Sequence, residues 1–127
     1  MDERSLSRLA RLGSGSACRS VPAGFCLWQG DHDETSWACQ VAPPDHWALH
    51  DVMAIVSRMP KTVGSGEGHS LAPTSPFYRA RLQTVPGLLE QVYRAILDRD
   101  LDALGLAVER DALAMHGVMM TSHPSLL

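Results

Sequence analysis

The sequence is short of positive charge, of cysteine and of long apolar runs, and each shortage removes a class of function. Its 127 residues carry 11 basic against 14 acidic side chains, a net charge of −3 with histidine neutral. A general nucleic-acid or membrane-surface binder needs a basic field, so neither partner is expected. Lysine is almost absent: Lys61 stands alone beside ten arginines. The planar fork of arginine suits carboxylates and phosphates, although a GC-rich genome produces the same bias without function. Cysteine occurs three times, at Cys18, Cys26 and Cys39. That spacing is neither a disulfide framework nor a zinc site, and it fits a reduced, cytoplasmic compartment. No apolar run approaches the ~20 residues that span a bilayer, and the opening MDERSLSRLARL has no apolar signal core.

What is present is a 45% hydrophobic chain of the size of one ordinary domain. Leu6, Leu9 and Ala10 fall on one face of a helix over 4–12, which Gly13 ends. Ser16 is placed to cap a second short helix through ACRSV. Residues 24–29 and 36–42 read as a hairpin around GDHDET, and 50–57 as a third strand, buried because its apolar run is nearly continuous. A glycine-rich loop covers 59–74. Ser75-Pro76 opens a helix; Pro86 starts or kinks a second one, striped with Leu88, Leu89, Val92, Tyr93, Ile96 and Leu97; Asp100 caps a third. Strands precede helices, so the class is α+β, antiparallel strands followed by a C-terminal helical segment. Neither end carries a boundary signal, and the chain reads as a piece of something larger, incomplete at both ends.

The stretch LGSGSACRS is the most informative. A GSGS turn leading into a helix aims backbone N–H groups and the positive end of the helix dipole at one point. Ser14 and Ser16 add hydroxyls, and Arg19, three residues past Ser16, forks onto a carboxylate or phosphate. A helix-breaking turn with a solvated arginine explains the same spacing. A second glycine loop, KTVGSGEGH, offers close backbone approach at Gly64, Ser65 and Gly66, or else is a connector without a ligand. His46 and His50 are four apart, yet PPDHW argues against the helix a zinc site would need there. Asp31 to Glu34 read as a solvated hairpin tip, His116 as a hydrogen-bonded core histidine, and Cys18 as a small buried packing residue.

SRLARLGSGSACRS followed by Trp28, DHW at 45–47, the strand ending in Ser57, Lys61 with its glycine loop, TSPFYRARL and MHGVMMTSHPSLL together resemble the mevalonate diphosphate decarboxylase family of the GHMP kinase superfamily. The resemblance covers nearly the whole chain. It implies part of a GHMP-kinase-like fold, with 1–57 the end of the N-terminal nucleotide- and substrate-binding half and 58–127 the start of the C-terminal half. It also implies a carbon–carbon lyase that uses ATP and Mg²⁺ to convert mevalonate 5-diphosphate to isopentenyl diphosphate in isoprenoid biosynthesis, as a cytoplasmic homodimer. Ser14, Gly15, Ser16, Ala17, Cys18 and Arg19 then line the substrate pocket, with Arg19 on the carboxylate that is lost. Gly66 stands where the family has a phosphate-touching threonine, which points to a phosphomevalonate decarboxylase giving isopentenyl phosphate as the alternative. A superfamily kinase that phosphorylates without decarboxylating is a third possibility, and a non-catalytic phosphate-binding module a fourth.

The resemblance also implies what is missing. The family's PxxxGLASSA phosphate loop has no counterpart here, and its catalytic aspartate is expected beyond Leu127, so the chain holds no catalytic residue and is expected to be inactive alone. Two further departures are Ala23-Gly24 for a family Gly-Gly and Asp111-Ala112-Leu113 for Asp-Ser-Asn.

Overall fold

The structure is a computed structural model that describes residues 1–56, 58 and 64–126. It divides into two compact units, Met1–Asp51 and Val52–Leu127. The class is α+β, helices with one two-stranded antiparallel sheet among the described residues.

In the first unit, α1 runs Glu3–Gly13. Its start is a local matter: the Asp2 carboxylate accepts the Ser5 N–H at 2.7 Å, satisfying a donor that the first helical turn leaves open. That bond, ahead of the Ser5 side chain, holds the Asp2 carboxyl below its ordinary value of 3.8. The ionised cap therefore supports the helix above the ordinary carboxylate range, and its support is lost as pH falls through the lower folded value. An NMR titration is expected to place the Asp2 carboxyl below 3.8, with the Ser5 amide shift following the same curve. Independent titration of the two would remove the cap.

After Gly13 the chain tightens into a 3-10 helix, Gly15–Ser20, before the hairpin of β1, Phe25–Gln29, and β2, Trp37–Ala42. The strands pair Cys26↔Gln40, Leu27↔Cys39, Trp28↔Ala38 and Gln29↔Trp37, with an irregularity between Phe25 and Cys26. Two details differ from the sequence reading. Ser14, not Ser16, occupies the position before the 3-10 helix, and its side chain makes no capping bond. The burial of α1 is also inverted: Leu6 and Leu9 are 46% and 51% exposed, whereas Ser7 is fully buried. The polar side of this helix lies on the sheet because the unit's core is built from small residues, Cys18, Ala38 and Ala42 with Ser36.

Among the described residues the expected third strand over 50–57 is not formed. Residues 50–56 have no regular structure, and Val52 and Val56 are more than 90% exposed. Ser57 lies outside the described residues. An extended segment is stable in a sheet only when a neighbour takes its N–H and C=O groups. Among the described residues no strand does so for this run.

In the second unit, the expected glycine loop contains α2, Ser65–Leu71, followed by a 3-10 turn at Ala72–Thr74. Lys61 and the start of that loop lie outside the described residues. Next come α3, Tyr78–Asp98, and α4, Leu101–Thr121. Ser75-Pro76 precedes the first turn of α3, where the Ser75 hydroxyl accepts the Phe77 N–H at 3.2 Å. Pro86 neither starts nor breaks a helix; α3 continues through it. The cost of the missing N–H is offset by the helical turns that continue on both sides of it. The connection is short: Arg99 adopts a left-handed conformation, and the Asp100 carboxylate caps α4 by accepting from Ala103 N–H at 2.9 Å. Ala95, Ala107 and Val118 are the buried apolar residues, small enough to bring the helices close. Arg81 ties the pair, donating at 2.7 Å to the Asp111 carboxylate and at 3.1 Å to its carbonyl. His116, expected in a core, is exposed, because α4 turns that face away from α3.

Candidate functional site

The segment Ser14–Arg19 is held from below and open above. Ser14 is extended, so the chain turns there, and its carbonyl accepts the Ala17 N–H at 2.9 Å to start the 3-10 helix. The Ser14 N–H is taken by the carbonyl of Ala10 at 3.3 Å. A 3-10 register then leaves the N–H groups of Gly15 and Ser16 without an intrahelical acceptor. Ser14, Gly15, Ser16 and Arg19 are exposed, Ala17 is half-buried, and Cys18 is fully buried. No ion pair or hydrogen bond engages the Arg19 guanidinium among the described residues.

Below the turn, Cys18 Sγ donates to the Gly15 carbonyl at 3.3 Å, and the Cys18 carbonyl accepts from the Ser7 hydroxyl at 3.0 Å. Cys18 therefore reaches any ligand through its backbone alone. Cys26 Sγ donates to the Arg19 carbonyl at 3.2 Å, fixing the end of the segment on β1. Burial pushes the Cys26 thiol up, against the opposing pull of the Arg19 charge. The Trp28 ring stands beside Gly15, where a Cβ would lie 3.8 Å from it, and its indole N–H donates to the Ser36 hydroxyl at 2.8 Å. The segment thus carries two open amides, two hydroxyls and one unpaired guanidinium, with the Trp28 ring beside Gly15. Such a set binds the oxygens of a phosphate or carboxylate.

The other sequence candidates fall elsewhere. Gly66 is the second residue of α2, exposed, and a Cβ there would meet nothing within 4 Å. It is helical rather than part of an open loop, so no protein contact demands glycine at that position. The His46 ring packs edge-on against Phe25 with centroids 6.0 Å apart. At the hairpin tip, Asp33 pairs with Arg11, and its carbonyl accepts from Arg8 at 3.3 Å, tying the tip to α1. Among the described residues no three His, Cys, Asp or Glu converge. Nor is any helix of the described residues long and apolar enough to cross a membrane. An open groove of about 580 Å³ borders α1 and β2, with Arg4 stacked 3.7 Å over Trp37, but it includes none of residues 14–19.

Sequence reasoning missed Ser7 and Ser36. Both are buried serines: the Ser7 hydroxyl meets partners eleven and thirty-one residues away, and the Ser36 hydroxyl meets the Trp28 indole across the hairpin.

Two family models match the chain. Residues 1–38 match the diphosphomevalonate decarboxylase-like N-terminal domain, and residues 52–127 the mevalonate 5-diphosphate decarboxylase C-terminal domain. The sequence is 35% identical over 131 residues to the diphosphomevalonate decarboxylase of Candida albicans, an alignment covering 98% of this chain and 36% of that one. The crystal structure of mevalonate diphosphate decarboxylase from Staphylococcus aureus is similar with a TM-score of 0.82 at 34% identity, over 98% of this chain and 39% of the other. A second structure, with a TM-score of 0.80 at 34% identity and the same coverage, is a complex with MVAPP, AMPPCP and magnesium. The chain spans about a third of the length of the curated relatives it matches.

Proposed function

The chain belongs to the diphosphomevalonate decarboxylase family, and from that premise we propose that it supplies the substrate-holding third of an ATP-dependent carbon–carbon lyase. The reaction converts mevalonate 5-diphosphate to isopentenyl diphosphate. ATP phosphorylates the tertiary hydroxyl of the substrate; the C–O bond to that phosphate and the C–C bond to the carboxylate then break, releasing phosphate and carbon dioxide. The electrons of the C–C bond become the new double bond. The observation that carries the reading is the exposed 3-10 turn, which starts with the open amides at Gly15 and Ser16 and has an exposed, unpaired Arg19 three residues after Ser16.

In this reading Ser14, Gly15, Ser16, Ala17 and Cys18 line the pocket, and the Gly15 and Ser16 amides with the Ser14 and Ser16 hydroxyls hold phosphoryl oxygens. Arg19 grips the carboxylate and orients its C–C bond toward the carbon that becomes electron-poor. We place residues 1–57 at the end of the N-terminal half and 58–127 at the start of the C-terminal half; the separately matched spans 1–38 and 52–127 support a two-part chain, with the second part beginning at residue 52. The complex with an ATP analogue and magnesium supports ATP and Mg²⁺ as co-substrate. The whole enzyme is read as a cytoplasmic homodimer.

A second reading, decarboxylation of the monophosphate, is favoured by Gly66, which brings no hydroxyl although a side chain would fit the open space there. A chimera in which this chain replaces the matching third of the Candida albicans enzyme tests both. It is expected to release carbon dioxide from a mevalonate phosphoester with Mg²⁺-ATP, whereas the 127-residue chain alone releases none. The ratio of rates on the two phosphoesters chooses between the readings. A chimera that unfolds cooperatively like the parent enzyme but decarboxylates neither ester would overturn the function.

A further inference from the structure

We propose that Ser7 is a positioning residue for the anion-holding turn, an assignment that rests on the function proposed above. Ser7 and Cys18 are the largest fully buried side chains among the described residues. A serine hydroxyl has one proton to give and lone pairs to accept with, and here both capacities are used. Ser7 Oγ donates to the Cys18 carbonyl at 3.0 Å, eleven residues away, and accepts from the Ala38 N–H at 2.9 Å, thirty-one residues away. One oxygen thereby joins α1, the 3-10 turn and β2.

Each of these bonds answers a local requirement. Ala38 lies in β2 of a two-stranded sheet, and a strand paired on one side leaves alternate N–H groups without a ladder partner. Ser7 stands in for the missing strand at that position. The Cys18 carbonyl sits in the middle of the turn, directly before Arg19, and otherwise receives only the long 3.4 Å bond from Val21 N–H. Anchoring it sets the depth at which the turn rides on α1 and hence the direction of the Gly15 and Ser16 amides. Alanine at position 7 keeps the packing of Cβ but leaves a buried donor and acceptor short of a partner. A relaxed turn no longer presents its donors in one arrangement.

The test uses the intact 127-residue chain, labelled for amide NMR, with inorganic pyrophosphate as the probe. In Ser7→Ala, the Ala38 amide is expected to exchange with solvent roughly tenfold faster, the scale of leaving a buried polar group unpaired. Gly15–Ser20 amide signals should shift with it, and the pyrophosphate Kd should rise roughly fivefold. Ser7→Thr, which restores a hydroxyl, should return the turn signals and the affinity toward wild type. Should Ser7→Ala fail to fold, Ser7→Cys, of similar size but a weaker hydrogen-bonding group, carries the same comparison. Faster Ala38 exchange with unchanged turn signals and unchanged Kd would make Ser7 a structural residue only and overturn the proposal. A wild-type chain whose residues 14–19 do not respond to pyrophosphate would fail the anion reading itself, and the positioning role with it. The two failures are distinguished because one appears in the wild type and the other only in the variants.

Discussion

Gly30→Ala is expected to destabilise the first unit by about 2–6 kcal/mol, the combined scale of a non-glycine residue held at positive φ and of forced overpacking. Gly30 has φ of +92°, a region that L side chains rarely adopt. The surroundings are harsher than the dihedral. A Cβ there would lie 2.0 Å from the Thr35 carbonyl oxygen and 2.3 Å from its carbon, and both are backbone atoms. No rotamer change relieves such a contact, so the hairpin turn must open. Opening it moves Ser36 away from the Trp28 indole and Asp33 away from Arg11, two ties that hold β1, β2 and α1 in register. Against a total stability of about 5–15 kcal/mol for a small domain, that loss leaves a substantial unfolded fraction. Urea unfolding followed by tryptophan fluorescence measures it, and a midpoint equal to wild type would show that the turn adapts. Gly87→Ala is the control: a Cβ there meets nothing within 4 Å, and the exchange should stabilise α3 by about 0.5–1 kcal/mol.

Arg19→Ala is expected to leave the fold intact and to weaken substrate handling. The side chain is exposed and makes no ion pair among the described residues, so its removal deprives no buried partner. Losing a charge-assisted fork on an oriented carboxylate costs about 1.5–3 kcal/mol of transition-state binding, roughly ten- to hundredfold in kcat/KM of the chimera. Arg19→Lys should recover only part of this, because an ammonium is a point charge and does not hold a planar carboxylate at two points. The unfolding midpoint of the 127-residue chain should be the same for all three proteins. Full decarboxylation by Arg19→Ala would remove the guanidinium from the mechanism. An equal loss of stability and activity would assign it to the fold instead.

The locally governed parts of the structure were legible in the sequence. Asp100 before a run of helix formers does cap α4, at 2.9 Å from the Ala103 N–H. The two short strands flanking GDHDET do pair antiparallel, with Gly30 at positive φ where the hairpin turn begins. The GSGSACRS signature pointed to a turn with exposed donors, which the 3-10 helix provides. Features that depend on distant partners were not legible. The apolar run at 52–56 looks buried by composition, yet burial needs a surface to bury against. Leu6 and Leu9 form an apolar stripe on α1, but Ser7 on another side of the helix makes the contact, since small residues let the sheet approach there.

The Asp100 cap of α4 and the hairpin could be read from the sequence, because each depends on groups within a few residues of one another. Only the tertiary structure decided which face of α1 is buried, that α3 runs unbroken through Pro86, and that one serine hydroxyl joins the turn to β2. The physical reason is that packing and satisfaction of buried polar groups are properties of pairs far apart in the chain, and no local pattern encodes the partner.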